Sequence, residues 1–145
     1  MSEASQQSFQ VSLPLRFSHC DPAGIAYYPR YFELCDHVIE DWCEQVLGVS
    51  RRRLHLELGM GLPTVDVRAQ FTAVSRLGDF LDFELLVEGY GNSSVEFVIT
   101  VTSGGETRFV VHYKQVLIDM SKTKSTNWPQ EWRDVLQAVC KGNGR

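Results

Sequence analysis

The side chains whose types and spacing could do chemistry together fall between His19 and Tyr31, in the run His-Cys-Asp-Pro-Ala-Gly-Ile-Ala-Tyr-Tyr-Pro-Arg-Tyr. Asp21 opens an Asp-Pro-Ala-Gly segment. Proline fixes one backbone angle and glycine frees another, so the segment predicts a sharp bend that presents a carboxylate. A helix is expected to start near Tyr28-Pro29, because proline suits a first helical position whose N–H would have no partner. The unpaired N–H groups of that start, with the positive end of the helix dipole, face back toward the bend. Acyl transfer needs such a pair: one group attacks a carbonyl or activates water, and N–H donors hold the oxyanion. Asp21 and the Tyr28 N–H are therefore the candidate catalytic groups. A plainer account competes with this one. Aspartate before proline often bonds its own backbone, and every helix begins with free donors.

Asp-Pro-Ala-Gly-Ile at 21–25, followed by Tyr-Pro-Arg-Tyr-Phe at 28–32, resembles the signature of the 4-hydroxybenzoyl-CoA thioesterase family, which has the hotdog fold. The resemblance implies an α+β domain in which a five-stranded antiparallel sheet wraps one long helix. It also implies an acyl-CoA thioesterase with Asp21 as the catalytic carboxylate and the Tyr28 N–H as oxyanion donor. Asp36 matches the aspartate that meets the substrate hydroxyl in the 4-hydroxybenzoyl enzymes. Gly24, Gly61 and Leu62 are the further candidate substrate contacts. No metal or redox cofactor is expected, since coenzyme A enters as part of the substrate. A homodimer or tetramer with sites between subunits is implied as well. The chain departs from the family where Leu62 replaces an expected threonine. It also lacks, between Gly89 and Ser94, the basic residues that help hold the coenzyme A phosphates. Arg76, Lys122 and Lys124 are candidate replacements. An aromatic acyl-CoA is the expected substrate, from Asp36 and the closeness of the turn motif, with an aliphatic acyl group on coenzyme A or on an acyl-carrier protein as the alternative. A hotdog module that binds thioesters without cleaving them is the rival outside enzymes.

The elements that must position these groups follow from hydrophobic periodicity. Phe9, Val11, Leu13, Leu15 and Phe17 alternate with polar residues and predict a first strand. Pro14 cannot donate to a ladder, which places part of that strand at an edge or bulge. The helix is expected over Pro29–Leu47, ending at Gly48. Its apolar stripe is Tyr28, Tyr31, Phe32, Cys35, Val38, Ile39, Trp42, Cys43 and Val46, with Asp36 at the margin. The stretch 48–62 reads as irregular, with Arg51-Arg52-Arg53 as a solvated turn. Four strands follow, over 65–71, 83–87, 95–101 and 107–118, joined by an Arg-Leu-Gly-Asp turn at 76–79 and by Gly-rich hairpins. Short turns between them require antiparallel pairing. A polar linker at 121–128 leads to a short helix over 129–140. Residues 1–8 and 141–145 are expected to be loose.

Composition narrows the partners. At 145 residues one domain is expected. A net charge of −4 gives no broad basic field for nucleic acid. No apolar run reaches the roughly 20 residues of a membrane span, and the first residues lack a hydrophobic signal segment, so a cytoplasmic protein is expected. Cys20, Cys35, Cys43 and Cys140 contain no C-x-x-C pair and read as buried free thiols. His19, His37, His55 and His112 show no metal-ligand spacing. For His19 a surface or packing role is favoured over a catalytic one.

Overall fold

A computed structural model describes residues 8–140. Apart from Ser8, the ends expected to be loose lie outside the described residues. The apolar stripe does form a helix, α1, over Tyr28–Trp42. Tyr31, Leu34, Cys35, Val38, Ile39 and Trp42 are its buried residues. Their three- and four-residue spacing puts them on one face. The start and end differ from expectation in detail. Tyr28, not Pro29, is the first helical residue, and α-helical bonding stops at Trp42. Cys43–Leu47 continues as a wider π turn, which Gly48 ends at φ 91°. Glycine adopts that left-handed conformation without steric cost.

The sheet that curls over α1 comprises β1 (Phe9–Pro14), β3 (Thr64–Phe71), β4 (Phe80–Tyr90), β5 (Ser94–Ser103) and β6 (Glu106–Val116). Its order is β1-β4-β5-β6-β3, antiparallel throughout. This is the α+β hotdog arrangement expected from the motif. Alternate residues of the central strands face the helix: Leu81, Phe83, Leu85 and Val87; Val95, Phe97, Ile99 and Val101; Phe109 and Val111. Trp42 meets Phe97 edge-on at 5.0 Å between ring centroids. Each such burial is worth about 1.5–3 kcal/mol, so this one interface supplies most of the driving force. The core therefore fixes α1, and with it the Tyr28 end, against the sheet.

The edges are β1 and β3. The first strand stops at Pro14 rather than continuing to Phe17. The Leu15 N–H turns to Asp79 O, and Phe17–His19 forms a 3₁₀ turn. Phe17 is consequently 81 % exposed and not in the core. On β3 the apolar residues Val65, Val67 and Phe71 are 57 %, 47 % and 50 % exposed. Among the described residues nothing pairs with the outer side of that strand.

Other stretches hold more structure than their composition suggests. Arg53–Glu57 is a helical turn with Leu54 buried, followed by β2 (Met60–Gly61). The supposed solvated arginine turn is solvated only at Arg52 and Arg53. The Arg51 side chain lies inward, with Nε and Nη2 buried. The expected last strand is divided at Leu117, with Ile118–Asp119 as β7. The predicted linker contains β8 (Lys124–Ser125), and β2-β7-β8 make a small second sheet. Trp128 at its end is buried and donates its indole N–H to Ser94 O at 3.1 Å. Helix α2 covers Gln130–Val139 and buries Trp132 and Leu136. Cys35, Cys43 and Cys140 are buried and form no disulfide, whereas Cys20 is only half-buried. Among the described residues no helix is long and apolar enough to cross a membrane.

Candidate active site

The predicted bend is present and is tightly held. The Gly24 N–H returns to Asp21 O at 2.9 Å, and Gly24 has φ 78°. The Asp21 N–H bonds Ile25 O at 2.9 Å. The far side of the bend is pinned to the turn before β4: Ala26 N–H to Ser75 O and Leu77 N–H to Gly24 O, both at 2.9 Å. The Asp21 carboxylate accepts the Ala23 N–H at 2.9 Å through Oδ1. So Asp21 does brace its own turn, as the plainer account requires. Its Oδ2 has no hydrogen-bond partner among the described residues. The Tyr28 N–H, first in the helix, likewise donates to nothing among the described residues. The carboxylate and the backbone donor are thus seven positions apart on one short, braced segment, and both keep free valence.

At the head of α1 lies a cleft of about 340 Å³, lined by Ile25, Ala26, Tyr28, Tyr31, Phe71 and Ser75 among others. Its walls are aromatic. Tyr31 stacks on Phe109 at 4.6 Å, and Phe71 lies 6.1 Å from Tyr28 and 4.8 Å from Phe109. Behind it runs a polar chain that the sequence reading missed. Tyr31 O–H donates to Ser75 Oγ at 2.6 Å. Arg108 Nη1 donates to Ser75 Oγ at 3.2 Å, Val74 O at 3.0 Å and Asp79 Oδ2 at 2.8 Å. Burial pushes the Tyr31 phenol above its ordinary range, so it stays a neutral donor. The Arg76 N–H and then the Arg108 guanidinium hold the Asp79 carboxyl below the usual carboxylate range.

That depressed value has a consequence for stability. A carboxylate more acidic in the folded than in the unfolded state stabilises the fold above its unfolded pKa. The contribution fades as pH falls through the folded value. Asp79→Asn is expected to cost about 1–2 kcal/mol near pH 7, since Asp79 is part-exposed. Urea unfolding should show the gap to wild type closing at the acid end. A gap that stays constant from neutral to acid pH would contradict the assignment.

The remaining candidates lie elsewhere on the same chain. Asp36 is exposed on α1, eight residues beyond Tyr28, about 12 Å along the axis. It lines a separate groove of about 400 Å³ with Phe32, Thr64, Val67 and Tyr113. Gly61 and Leu62 line a third concavity, with Arg51, His55, Ile118 and Met120. Backbone packing is close there: a Cβ on Gly61 would meet Met120 Sδ at 2.8 Å. Within one chain, therefore, Asp36, Gly61 and Leu62 do not line the Tyr28 cleft, and neither do Asp21 and Gly24, which stand on the bend that leads to its lining residue Ile25. Among the possible phosphate partners, Arg76 sits beside the bend through its bridge to Ile25. Lys122 and Lys124 lie in or beside the small sheet, near Gly61. His19 is occupied structurally, its Nδ1 accepting the Arg16 N–H at 2.9 Å. Burial, and then Arg30, hold its pKa below the ordinary histidine value. Among the described residues no three His, Cys, Asp or Glu side chains come together as a metal site.

Comparison with known proteins identifies the family and the fold. The family described as the thioesterase-like superfamily matches residues 15–138. The chain is 24% identical over 116 residues to the 4-hydroxybenzoyl-CoA thioesterase of Pseudomonas sp. (strain CBS-3), covering 77% of this chain and 82% of that protein. It superimposes on a 1,4-dihydroxy-2-naphthoyl-CoA thioesterase from Synechocystis with TM-score 0.80 and 19% identity, over 89% of this chain and 95% of that one. A Staphylococcus aureus protein solved in complex with CoA gives TM-score 0.86 and 15% identity, over 95% and 87% of the two chains. At such identities the superpositions speak for the fold.

Proposed function

The chain belongs to the thioesterase-like superfamily, and from that premise we propose that it hydrolyses acyl-CoA thioesters, with aromatic acyl groups as the preferred substrates. One observation carries the reading: Asp21 Oδ2 and the Tyr28 N–H, on one braced segment, are both left without partners among the described residues. Asp21 attacks the thioester carbon through that oxygen. The Tyr28 N–H donates to the oxyanion, and CoA leaves as the thiolate. Water then cleaves the resulting mixed anhydride. Thiolate is a good leaving group, so a weakly basic carboxylate can expel it. No metal or redox group takes part. Asp21 as general base on a water is the alternative step for the same residues.

The aromatic preference draws on the aromatic walls of the cleft and on the Pseudomonas relative. Asp36 discriminates among acyl groups by accepting from a ring hydroxyl. Because its groove is separate from the Tyr28 cleft within one chain, this role requires a second copy. The exposed edge of β3 is where that copy pairs, making a homodimer or a larger assembly with sites between subunits.

Release of free thiol from benzoyl-, hydroxybenzoyl-, phenylacetyl- and fatty acyl-CoA tests the proposal. The aromatic thioesters should turn over fastest. Asp36→Ala should slow hydroxybenzoyl-CoA roughly ten- to a hundredfold relative to benzoyl-CoA, the worth of one hydrogen bond to a charged group. Equal losses for all acyl groups would remove the specificity role. Faster cleavage of fatty acyl-CoA would make the enzyme an aliphatic one. A folded protein that releases no thiol from any of them would be a binding module.

A further inference from the structure

Tyr31 and Ser75, 4 % and 1 % exposed, both line the cleft at the head of α1 and carry a hydroxyl group each. Two protons are available, and the pair uses one internally, in the 2.6 Å bond from Tyr31 to Ser75 Oγ. Ser75 Oγ also accepts from Arg108 Nη1 at 3.2 Å, a contact that shares the two Nη1 hydrogens with Val74 O and Asp79 Oδ2. The Ser75 proton then has no acceptor among the described residues. Reversing the bond does not change the count. If Ser75 donates to Tyr31, the Tyr31 proton is the one left over. A buried donor without an acceptor is costly, so it needs a partner that occupies the cleft itself. Arg108 strengthens the donor, because a cation bonded to the serine oxygen polarises its O–H. The position is also fixed relative to the Tyr28 N–H, since Ser75 O holds the Ala26 N–H at 2.9 Å.

We infer that the Tyr31–Ser75 hydroxyl pair is a substrate-facing donor that grips an oxygen of the bound acyl thioester. The inference rests on the thioesterase reading and deepens it by naming a second contact in the same cleft. That oxygen belongs either to the thioester carbonyl or to a substituent on the acyl group.

The proton count gives the test an unusual sign. Tyr31→Phe leaves the Ser75 proton free, and Ser75→Ala leaves the Tyr31 proton free. Each single variant keeps one donor, and only the double variant has none. Each single variant is expected to lose about two- to threefold in kcat/KM, because the cleft wall changes while one donor remains. For the double variant it falls roughly ten- to a hundredfold, more than the product of the two. A purely structural bond behaves in the opposite way: either substitution breaks it, and the second adds nothing. Loss across all acyl groups assigns the carbonyl oxygen, and loss confined to oxygen-bearing acyl groups assigns the substituent.

Calorimetric binding of an acyl-CoA analogue with a methylene between sulfur and carbonyl, which keeps the oxygen and cannot be hydrolysed, repeats the cycle without turnover. A wild type that binds the analogue but cleaves no thioester would overturn the proposed activity while leaving the donor testable. Thermal melts check the fold. Should the double variant melt below assay temperature, wild type, both single variants and the double variant are all assayed at a temperature where the double variant is folded. A double variant no worse than its worse single parent, in both rate and binding, would overturn the inference.

Discussion

Asp21→Asn should lower thioester turnover by about a thousandfold or more while leaving the melting temperature where it was. The amide oxygen can still accept the Ala23 N–H that braces the bend, so the turn survives. What disappears is the charge, and with it the free oxygen that attacks. Asn is nearly isosteric with Asp, so packing against the half-buried neighbours is kept. The two readings of Asp21 therefore separate cleanly. A turn residue would show an unchanged rate and, if anything, a changed melt. A nucleophile shows the reverse. Near wild-type thiol release at an unchanged melting temperature would move the chemistry away from Asp21.

The second large effect should come from a residue remote from that carboxylate. Val67 is 47 % exposed on the outer strand, between the Asp36 groove and the open sheet edge. If a second copy pairs there, Val67→Lys places a charge in an apolar contact and leaves it without a partner. Such a burial is strongly unfavourable, enough to dissociate a dimer held by one strand edge. The expected result is a folded monomer in sedimentation, with activity reduced about a hundredfold or more. A wild type that sediments as a monodisperse, active monomer would remove both the pairing and the shared site. A Val67→Lys protein that stays dimeric at full activity would place the interface on another face.

How far the molecule could be read from its sequence depended on the range of the forces involved. Asp21, Pro22 and Gly24 made a bend because their own backbone preferences require one, and the bend is present. The α1 stripe was legible because its periodicity is a property of one segment, and Tyr31, Cys35, Val38, Ile39 and Trp42 are all buried. Phe17 was misread for the complementary reason. It continued an alternating pattern, but Leu15 N–H finds Asp79 O, a partner far along the chain, and the strand ends. Arg51 reads as solvated in a run of three arginines, yet its side chain turns in at the end of the long helix. Trp128 looked like part of a linker, and Asn92 and Ser94, distant in sequence, make it a buried anchor by accepting its backbone and indole N–H.

The polar chain behind the cleft was invisible on the same grounds. Tyr31 and Ser75 are 44 positions apart, Ser75 and Arg108 33, and Asp79 and Arg108 29. Tyr31 counted as one more apolar helix residue, and Arg108 lay unremarked within the strand expected over 107–118. The Arg-Leu-Gly-Asp turn was visible, but not that its aspartate anchors the arginine of another strand. Asp36 was read correctly as a margin residue of the helix. That its groove differs from the Tyr28 cleft follows only from the position of β3.

The attack by Asp21 itself is open to one direct measurement. Enzyme in excess over an aromatic acyl-CoA is mixed in ¹⁸O-water, quenched over a series of times, and the peptide carrying Asp21 is weighed. The mechanism proposed above predicts a transient acyl adduct on Asp21 that rises and decays at the rate of CoA release and acid formation. Where water opens the anhydride at the Asp21 carbonyl, ¹⁸O remains in the peptide afterwards. Product acid labelled from the first time point, with Asp21 neither acylated nor labelled at any quench time, would contradict attack by the carboxylate and leave water as the nucleophile.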